Sequence, residues 1–188
     1  MSAMPTRTSI MLASLLLLTL AGVGATADQP TVRAVLQSPQ DRKAAYNFAL
    51  KDSSGRTVQL KNYHGKVVLL DFWATACGGC KVEIPWFMGF EHTYKDNGLA
   101  VVGVSMDILY EDLKDAQEGW SRVKPFVQTN KVNYTILMGD DPVTKAFDIK
   151  SLPDTYLIDR QGRIAAAYTT GLVNKDDVEA NIRALLSK

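Results

Sequence analysis

The sequence predicts an α/β fold in which a mixed central sheet is flanked by helices on both faces. Short apolar runs typical of buried strands alternate along the chain with longer amphipathic stretches typical of helices. The C-terminal part adds a hairpin pattern and one more helical stretch. The chain has 188 residues, 46% hydrophobic and 22% charged, so one ordinary globular domain is expected.

The first 27 residues have the pattern of an export signal. Arg7 provides a positive charge, residues 10–20 form an apolar stretch, and Ala25-Thr26-Ala27 offers a small-residue cleavage site. The 18 residues 10–27 also reach the lower limit for a membrane span, so an uncleaved anchor is the alternative. In either case the domain is expected to face a periplasmic or other extracytoplasmic compartment, where disulfides persist.

Between this segment and the domain, residues 28–45 show little periodicity and contain Pro30 and Pro39. A linker is therefore predicted here, and the domain is expected to span residues 46–188. The formal net charge of the whole chain is +1. This balance argues against a nucleic-acid partner, since such proteins carry basic patches that bind phosphates.

The first half of the domain is predicted to contain a hairpin, a buried strand and a helix. Apolar residues alternate from Tyr46 to Leu50, a turn is expected at Ser53-Ser54-Gly55, and residues 56–60 return as a second strand. Val67 to Trp73 is almost continuously apolar, which is typical of a strand buried on both faces. A helix is expected from Cys77 to about Tyr94.

The second half is predicted to alternate strands with helices. Leu99 to Met106 and Tyr134 to Met138 are expected to be strands, separated by a central helical insertion between Leu109 and Val132. Asp141-Pro142 is expected to begin a short helix, because aspartate suits the capping position and proline the first helical position. The remaining predicted elements are a hairpin of Thr155 to Ile158 with Ile164 to Tyr168, and a helix from Asp176 to Leu186.

Two cysteines occur in the chain, in the stretch Cys77-Gly78-Gly79-Cys80. A disulfide between them would close a very short loop, and stabilisation by a crosslink grows with loop length, so a redox role is favoured over a structural one. A zinc site is disfavoured because there is no second cysteine pair and the two histidines, His64 and His92, lack metal-binding spacing. No metal is therefore expected, and redox chemistry by a cysteine pair needs no dissociable cofactor.

The cysteine pair lies where a strand is expected to end and a helix to begin. Helix N-termini present unpaired N–H groups and about half a unit of positive charge, which favours thiolate over thiol. Cys77 is therefore predicted to be the nucleophile. Cys80 follows about one helical turn later, so it is predicted to resolve a mixed disulfide formed at Cys77.

The stretch Asp71 to Lys81, with Glu83 after it, resembles the active-site region of the thioredoxin superfamily, and most closely that of the exported TlpA/ResA-type oxidoreductases. The resemblance extends over roughly residues 46–188. It implies a thioredoxin-like fold with the N-terminal hairpin and the central helical insertion. Many relatives have Trp where this chain has Ala76 and Pro where it has Gly79, so the resemblance does not carry over a redox potential.

The resemblance also implies residues that bind substrate. Pro153 takes the place of a cis-proline that packs opposite the cysteines, with an ordinary trans proline as the alternative. Its neighbour Leu152 would then offer its backbone to a substrate strand. Trp73 is expected to line an apolar groove for an extended polypeptide, although burial in the core is the commoner fate of a tryptophan.

Two acidic residues are expected to support proton transfer. Asp71 takes the place of the buried acid of thioredoxin, where desolvation raises the pKa and lets the carboxyl group carry a proton for Cys80. The alternative is a carboxylate satisfied by hydrogen bonds, for example with Lys66. Glu83 lies three residues after Cys80 and resembles the acid of the ResA branch, and a solvated helix charge is its alternative.

Taken together, the resemblance implies an exported disulfide reductase. Its partners would be substrate proteins with disulfides, such as apocytochrome c or copper-site assembly proteins, and a membrane thiol carrier as electron donor. The alternatives are a disulfide-donating oxidase and, from another class, a redox-inert binding module or metal carrier. A peroxidase is disfavoured because Leu70 and Ala74 stand where the peroxiredoxin pattern has proline and threonine. A monomer is expected, since no heptad repeat is present.

Overall fold

The computed structural model describes Met1 and residues 31–187. The predicted export signal therefore lies outside the described residues. Within them, seven strands form one mixed sheet in the order β2-β1-β5-β4-β3-β6-β7. The strands are β1 (Ala49–Asp52), β2 (Thr57–Gln59), β3 (Val67–Trp73), β4 (Leu99–Ser105), β5 (Thr135–Met138), β6 (Asp154–Ile158) and β7 (Ile164–Tyr168).

Five α-helices are present in the described part of the chain. They are α1 (Gly78–Tyr94), α2 (Asp107–Tyr110), α3 (Ala116–Thr129), α4 (Asp141–Ala146) and α5 (Lys175–Leu186), with short 3-10 helices at Leu60–Tyr63 and Lys95–Asn97. The predicted α/β class, the N-terminal hairpin and the helical insertion after β4 are confirmed. Residues 31–187 contain no helix that is both long and apolar enough to cross a bilayer.

The centre of the sheet combines parallel and antiparallel pairs. β3 and β4 are parallel, as are β4 and β5, whereas β6 pairs antiparallel with both β3 and β7. At the other edge, the β1–β2 hairpin joins the sheet through an antiparallel pair with β5. Every residue of β3 and of β4 is buried, as expected for strands covered on both faces.

Two apolar cores lie on opposite faces of this sheet. On one face Leu69 and Trp73 of β3 pack with residues of α1, α3 and α5. On the other face Leu70 and Phe72 pack with α4 and the first 3-10 helix. Because side chains alternate along a strand, Asp71 lies on the first of these faces, beneath α1.

The start of α4 differs by one residue from the prediction. Asp140, rather than Asp141, caps the helix, and its Oδ1 accepts a hydrogen bond of 2.9 Å from the N–H of Val143. Asp141 is then the first helical residue and Pro142 the second. Either of two consecutive aspartates can cap a helix, so residue type alone does not distinguish them. Asp140 is the cap because its backbone is extended, whereas the backbone of Asp141 is already helical.

The described part of the predicted linker, residues 31–45, packs against the domain instead of standing apart from it. Val32 forms an isolated bridge with Val173, and Ala44 forms another with Arg163. The guanidinium of Arg42 is buried and bonds to Asp159 at 3.1 Å. Val32, Ala34 and Leu36 of this segment pack against the first core, so the folded unit begins before residue 46.

Candidate active site

The cysteine pair lies where β3 leads into α1, as predicted. Cys77 and Cys80 form a disulfide with an S–S distance of 2.01 Å and a Cα–Cα distance of 5.4 Å. Cys77 is the N-cap of α1, and its Sγ accepts a hydrogen bond of 3.2 Å from the N–H of Cys80. Cys77 is only 3% exposed and Cys80 only 1% exposed. A partner protein must therefore pack closely against this part of the surface to bring a sulfur atom to Sγ of Cys77.

The turn before Cys77 is held by a buried carboxylate. The N–H of Thr75 donates to both oxygens of Asp107, at 3.1 and 3.2 Å, and its hydroxyl donates to Oδ1. The hydroxyl of Ser105 donates to Oδ2 at 2.7 Å, and the Asp107 side chain is fully buried. Because every one of these groups donates, the carboxylate acts as an acceptor that ties the active-site turn to the end of β4.

Asp107 was not identified from the sequence, although a signal for it exists. β3 and β4 are parallel neighbours, and their last residues, Trp73 and Ser105, are paired. The carboxyl ends of parallel strands meet at one edge of a sheet, where functional side chains of α/β proteins gather. The Ser105-Met106-Asp107 stretch therefore had to lie beside the residues that follow Trp73.

Pro153 lies against the motif, as expected. The Leu152–Pro153 peptide bond is cis. A Cβ atom at Gly79 would lie only 3.2 Å from Cδ of Pro153, so the proline ring packs directly on the backbone between the two cysteines. Glycine at this position allows that approach because it has no side chain.

Trp73 does not line a groove, and the prediction for it is wrong. Its side chain has no exposed surface and packs against Phe126 of α3, with ring centroids 5.2 Å apart. As the last residue of β3, it points into the core beneath α1. Core packing, the commoner fate of a tryptophan, applies here because α3 covers this end of the sheet.

Asp71 is buried in β3, and neither of its carboxylate oxygens has a hydrogen-bond partner among the described residues. The alternative in which Lys66 pairs with it is therefore wrong, since Lys66 is exposed. Burial raises the pKa of Asp71 well above its usual range, and the negative charge of Glu83 raises it further. The carboxyl group is thus suited to hold a proton.

Glu83 is also buried, at 1% exposure, so it is not a solvated helix charge. Its Oε1 accepts a hydrogen bond of 2.7 Å from the N–H of Val173, while Oε2 has no partner in the described part of the chain. The pKa of Glu83 is raised to about 7, because burial and the charge of Asp154 raise it by more than the Val173 hydrogen bond lowers it. Asp154 is itself buried and accepts from the N–H of Thr170 at 2.8 Å.

Other buried polar atoms lie on the same face of the sheet. Thr155 stands opposite Asp71 in the β3–β6 register, and its hydroxyl has no partner among residues 31–187. The same holds for the hydroxyl of Tyr134, whose pKa is raised well above its usual value by burial and by the charges of Asp71 and Glu83. Tyr134 immediately precedes β5 and was missed in the sequence, because only the sheet order shows that β5 lies one strand away from β3, on the other side of β4.

The described residues contain no group of three or more His, Cys, Asp or Glu side chains arranged to hold a metal ion. What the site does bring together is a disulfide at a helix N-terminus, a proline against it and two buried carboxyl groups, Glu83 in the same helix and Asp71 on the strand beneath. Such an arrangement can exchange thiols with disulfides, and the two carboxyl groups can hold or release protons within the same buried region.

The sequence matches the model of the AhpC/TSA family over residues 42–167. Among curated proteins, it is 30% identical to the thiol-disulfide oxidoreductase ResA of Bacillus subtilis (strain 168) over 134 residues, which is 71% of this chain and 69% of ResA. It is 31% identical to the thioredoxin-like protein YneN of the same organism over 143 residues, 76% of this chain and 79% of YneN.

Comparison with solved structures gives similar proteins of the same kind. A putative thiol:disulfide interchange protein DsbE from Chlorobium tepidum superposes with a TM-score of 0.66 at 29% identity, covering 77% of this chain and 96% of that one. A putative thioredoxin from Neisseria meningitidis gives a TM-score of 0.66 at 26% identity, covering 79% and 93%. The chain therefore belongs to the AhpC/TSA family, has a thioredoxin-like fold and is a thiol-disulfide oxidoreductase.

Proposed function

We propose that this oxidoreductase is an exported reductase of protein disulfides that works as a monomer. The observation that carries the proposal is the Cys77–Cys80 disulfide at the start of α1, packed against the cis-proline Pro153. Similarity to ResA supports the activity, and the export pattern of the first 27 residues supports a site of action outside the cytoplasm, in a periplasm-like compartment.

In the proposed cycle, the reduced protein starts with Cys77 as a thiolate. Its sulfur attacks one sulfur of the substrate disulfide, forms a mixed disulfide, and releases the other substrate sulfur as a thiolate. The Cys80 thiolate then attacks Sγ of Cys77, which forms the Cys77–Cys80 disulfide and releases the second substrate thiolate. The substrate gains two electrons and two protons, and the enzyme dithiol is oxidised.

We assign the proton transfers of this cycle to the two buried acids, Glu83 and Asp71. Cys80 is nearly inaccessible, so its thiol needs an internal base before it can attack. Glu83 lies one turn further along α1, on the same helix face, and its pKa of about 7 suits proton transfer near neutral pH. Asp71, on the strand beneath, would hold or pass on the proton.

The return to the dithiol needs a donor of two electrons. We assign this step to a membrane thiol carrier, which would reduce the Cys77–Cys80 disulfide by the same exchange chemistry. The backbone beside Leu152 and Pro153 would bind the substrate segment. Apocytochrome c and copper-site assembly proteins are the candidate substrates that the family resemblance offers.

The test of this proposal is the equilibrium potential of the Cys77 and Cys80 pair in glutathione or dithiothreitol buffers, with free thiols counted by mass tagging. A reductase should have a potential near that of cytosolic thiol reductants, about −270 mV, whereas strong disulfide donors lie at about −120 mV. A value near the second figure would contradict the reductase proposal and favour the oxidase.

Trapping experiments separate a redox enzyme from an inert binding module. Cys80→Ser should accumulate a mixed disulfide with a protein disulfide substrate, because the resolving sulfur is missing. Cys77→Ser should form none and should have no reductase activity. Equal activity of Cys77→Ser and the wild type, or stoichiometric zinc or copper in the purified protein, would support the binding-module alternative.

A further inference from the structure

Six buried polar atoms that lack hydrogen-bond partners in the described part of the chain lie on the face of the sheet covered by α1. Three are carboxyl oxygens, Oδ1 and Oδ2 of Asp71 and Oε2 of Glu83, which accept hydrogen bonds. The other three atoms donate: Nε1 of Trp73 and the hydroxyls of Tyr134 and Thr155. Unpaired acceptors and unpaired donors are therefore equal in number here.

Asp71 is at the centre of these groups in the sheet. Thr155 stands opposite it on β6, and Gly103 is its partner on β4. Neighbouring strands lie about 4.8 Å apart, and side chains at paired positions point to the same face. Because residue 103 is a glycine, the space beside Asp71 on the β4 side is left for other side chains.

Tyr134 and Trp73 fill the space that Gly103 leaves. A Cβ atom at Gly103 would lie 3.1 Å from Cε2 of Tyr134 and 3.0 Å from Nε1 of Trp73. Cε2 is bonded to the ring carbon that carries the hydroxyl. The hydroxyl end of Tyr134 and the indole N–H of Trp73 therefore both lie beside the position that is paired with Asp71.

No positive charge balances Asp71 inside the fold. Within residues 31–187 the one buried basic side chain is that of Arg42, and it bonds to Asp159. Apart from the tyrosine hydroxyl, the titratable groups around Asp71 are acids, Glu83 of α1 and Asp154 at the start of β6. The buried residues of α3 and α5, which also cover this face, are uncharged. Neutral donors are therefore the groups available to stabilise ionised Asp71.

Water is the natural link between these donors and the carboxyl oxygens. None of the three donors bonds directly to a carboxyl oxygen among the residues that the structure describes. Buried polar groups are nearly always hydrogen-bonded, because an unpaired group loses its solvation without compensation. A buried water molecule typically bonds to two to four such groups, and this region offers six unpaired atoms.

We propose that Tyr134, together with Trp73 and Thr155, holds buried water against Asp71 and thereby stabilises the ionised form of that carboxyl group. Tyr134 is then a positioning residue, since it acts on Asp71 through water and not on the substrate. Burial disfavours the charge on Asp71, and the donors limit this effect, so that the carboxyl group can release its proton. This inference deepens the proposed function, because Asp71 holds a proton in the proposed cycle.

The test is the titration of Asp71 in the oxidised protein, followed by NMR of its carboxyl carbon. The disulfide does not titrate, so the cysteines do not contribute. Tyr134→Phe removes one donor and no direct hydrogen bond, so the variant should fold. Loss of a donor that stabilises the ionised form raises the pKa, so the midpoint for Asp71 should move up by about one pH unit. Thr155→Val should move it in the same direction.

Tyr156→Phe is the matched control. Tyr156 is 6% exposed and Tyr134 is 8% exposed, so both substitutions remove a hydroxyl from a buried ring. The Tyr156 side chain, however, lies in the core on the opposite face of the sheet, where its hydroxyl donates to the carbonyl oxygen of Phe147 at 2.8 Å. This control should keep the wild-type midpoint for Asp71.

A crystal structure of the oxidised protein tests the water directly, and it should show ordered water bonded to both Asp71 and Tyr134. The inference would be overturned by a crystal structure in which no water bonds to Asp71. A midpoint that Tyr134→Phe leaves unchanged or lowers would also overturn it, as would a wild-type Asp71 that stays protonated throughout the titration.

Failure of the proposed function has a different signature. The pH profile of kcat/KM for reduction of a peptide disulfide should shift in Tyr134→Phe in the same direction as the midpoint for Asp71. If the midpoint shifts and the pH profile does not, the link from Tyr134 to Asp71 is correct, and the proton role of Asp71 in the reductase cycle is wrong.

Discussion

Glu83 shows how one buried side chain links the stability of this protein to pH. It is 1% exposed, its Oε1 accepts from the N–H of Val173, and its pKa is raised from 4.5 to about 7. Ionised Glu83 is therefore disfavoured in the folded state. Because this pKa lies near neutral pH, small changes of pH in that range change the charge of a buried residue in the same helix as the cysteine pair.

The first prediction concerns the pH dependence of stability. Between about pH 4.5 and pH 7, Glu83 is ionised in the unfolded chain but protonated in the folded one, so the folded state binds the extra proton. The free energy of unfolding of the oxidised protein should therefore fall as pH rises through this range, and Glu83 should account for about 3 kcal/mol of the fall.

Glu83→Gln should remove that contribution while its amide oxygen still accepts the hydrogen bond from Val173. Denaturant unfolding of both proteins at a series of pH values measures it. Asp71→Asn is a second comparison, since the raised pKa of Asp71 gives a contribution of the same sign. Parallel stability curves for the wild type and Glu83→Gln would show that Glu83 ionises normally in the folded protein.

At the scale of the secondary-structure elements, the site depends on three of them meeting at one edge of the sheet. β3 ends in the turn to Cys77, α2 begins with Asp107 at the end of β4, and β6 begins after Pro153. Asp107 connects the first two by accepting hydrogen bonds from Thr75. We expect the position of the nucleophile to depend on this connection.

Asp107→Ala should leave the donors of Thr75 and Ser105 without their acceptor. We expect the free energy of unfolding to fall by about 3 kcal/mol, as for other hydrogen bonds to buried charged groups. Reduction of a peptide disulfide should slow by about tenfold at a temperature where the variant is folded, because Cys77 is held less firmly.

Asp107→Asn is the conservative comparison, because its side-chain oxygen still accepts from the N–H of Thr75. It should recover part of the rate. If Asp107→Ala loses stability but keeps the wild-type rate and equilibrium potential, Asp107 supports the fold without positioning the nucleophile.

At the scale of the whole molecule, residues 31–45 pack against the C-terminal part of the domain, between residues 159 and 173. Val32 pairs with Val173 just before α5, and Arg42 reaches Asp159 at the β6–β7 turn. The Arg42 and Asp159 side chains are only 3% and 4% exposed. The segment lies along β7, at the edge of the sheet opposite the β1–β2 hairpin. The folded unit therefore extends beyond the predicted domain of residues 46–188.

Arg42→Ala should lower the free energy of unfolding by about 3 kcal/mol, since removal of one partner leaves a buried ion pair incomplete. The loss stays at the lower end of the range because Arg163 still contacts Asp159 at 2.7 Å. Arg33→Ala is the matched control. Arg33 is 66% exposed and lies 3.6 Å from Asp177, so its loss should cost less than about 1 kcal/mol. Equal effects in denaturant unfolding would mean that the segment is only loosely attached.

Much of the fold could be predicted because its elements have strong local patterns. The run Val67 to Trp73 is a strand with those bounds, and the helix expected after Cys77 ends at Tyr94 as predicted. The helix cap at Asp140 and the packing of residues 31–45 were missed. The packing of residues 31–45 depends on contacts with residues distant in sequence, which a local pattern cannot contain. The cap was missed because Asp140 and Asp141 are equally suited to that position by residue type.

By itself, the sequence determined the chemistry of the protein: the spacing of Cys77 and Cys80 at a strand-to-helix junction is a local property of a few residues. The tertiary structure decided which side chains surround the pair. Trp73 is buried rather than exposed, and Asp107 and Tyr134 belong to the surroundings of the site, because the sheet places β4 directly beside β3 and β5 on the far side of β4. The raised pKa of Glu83 likewise depends on the tertiary structure, because burial and the charge of Asp154 come from residues that are distant in sequence.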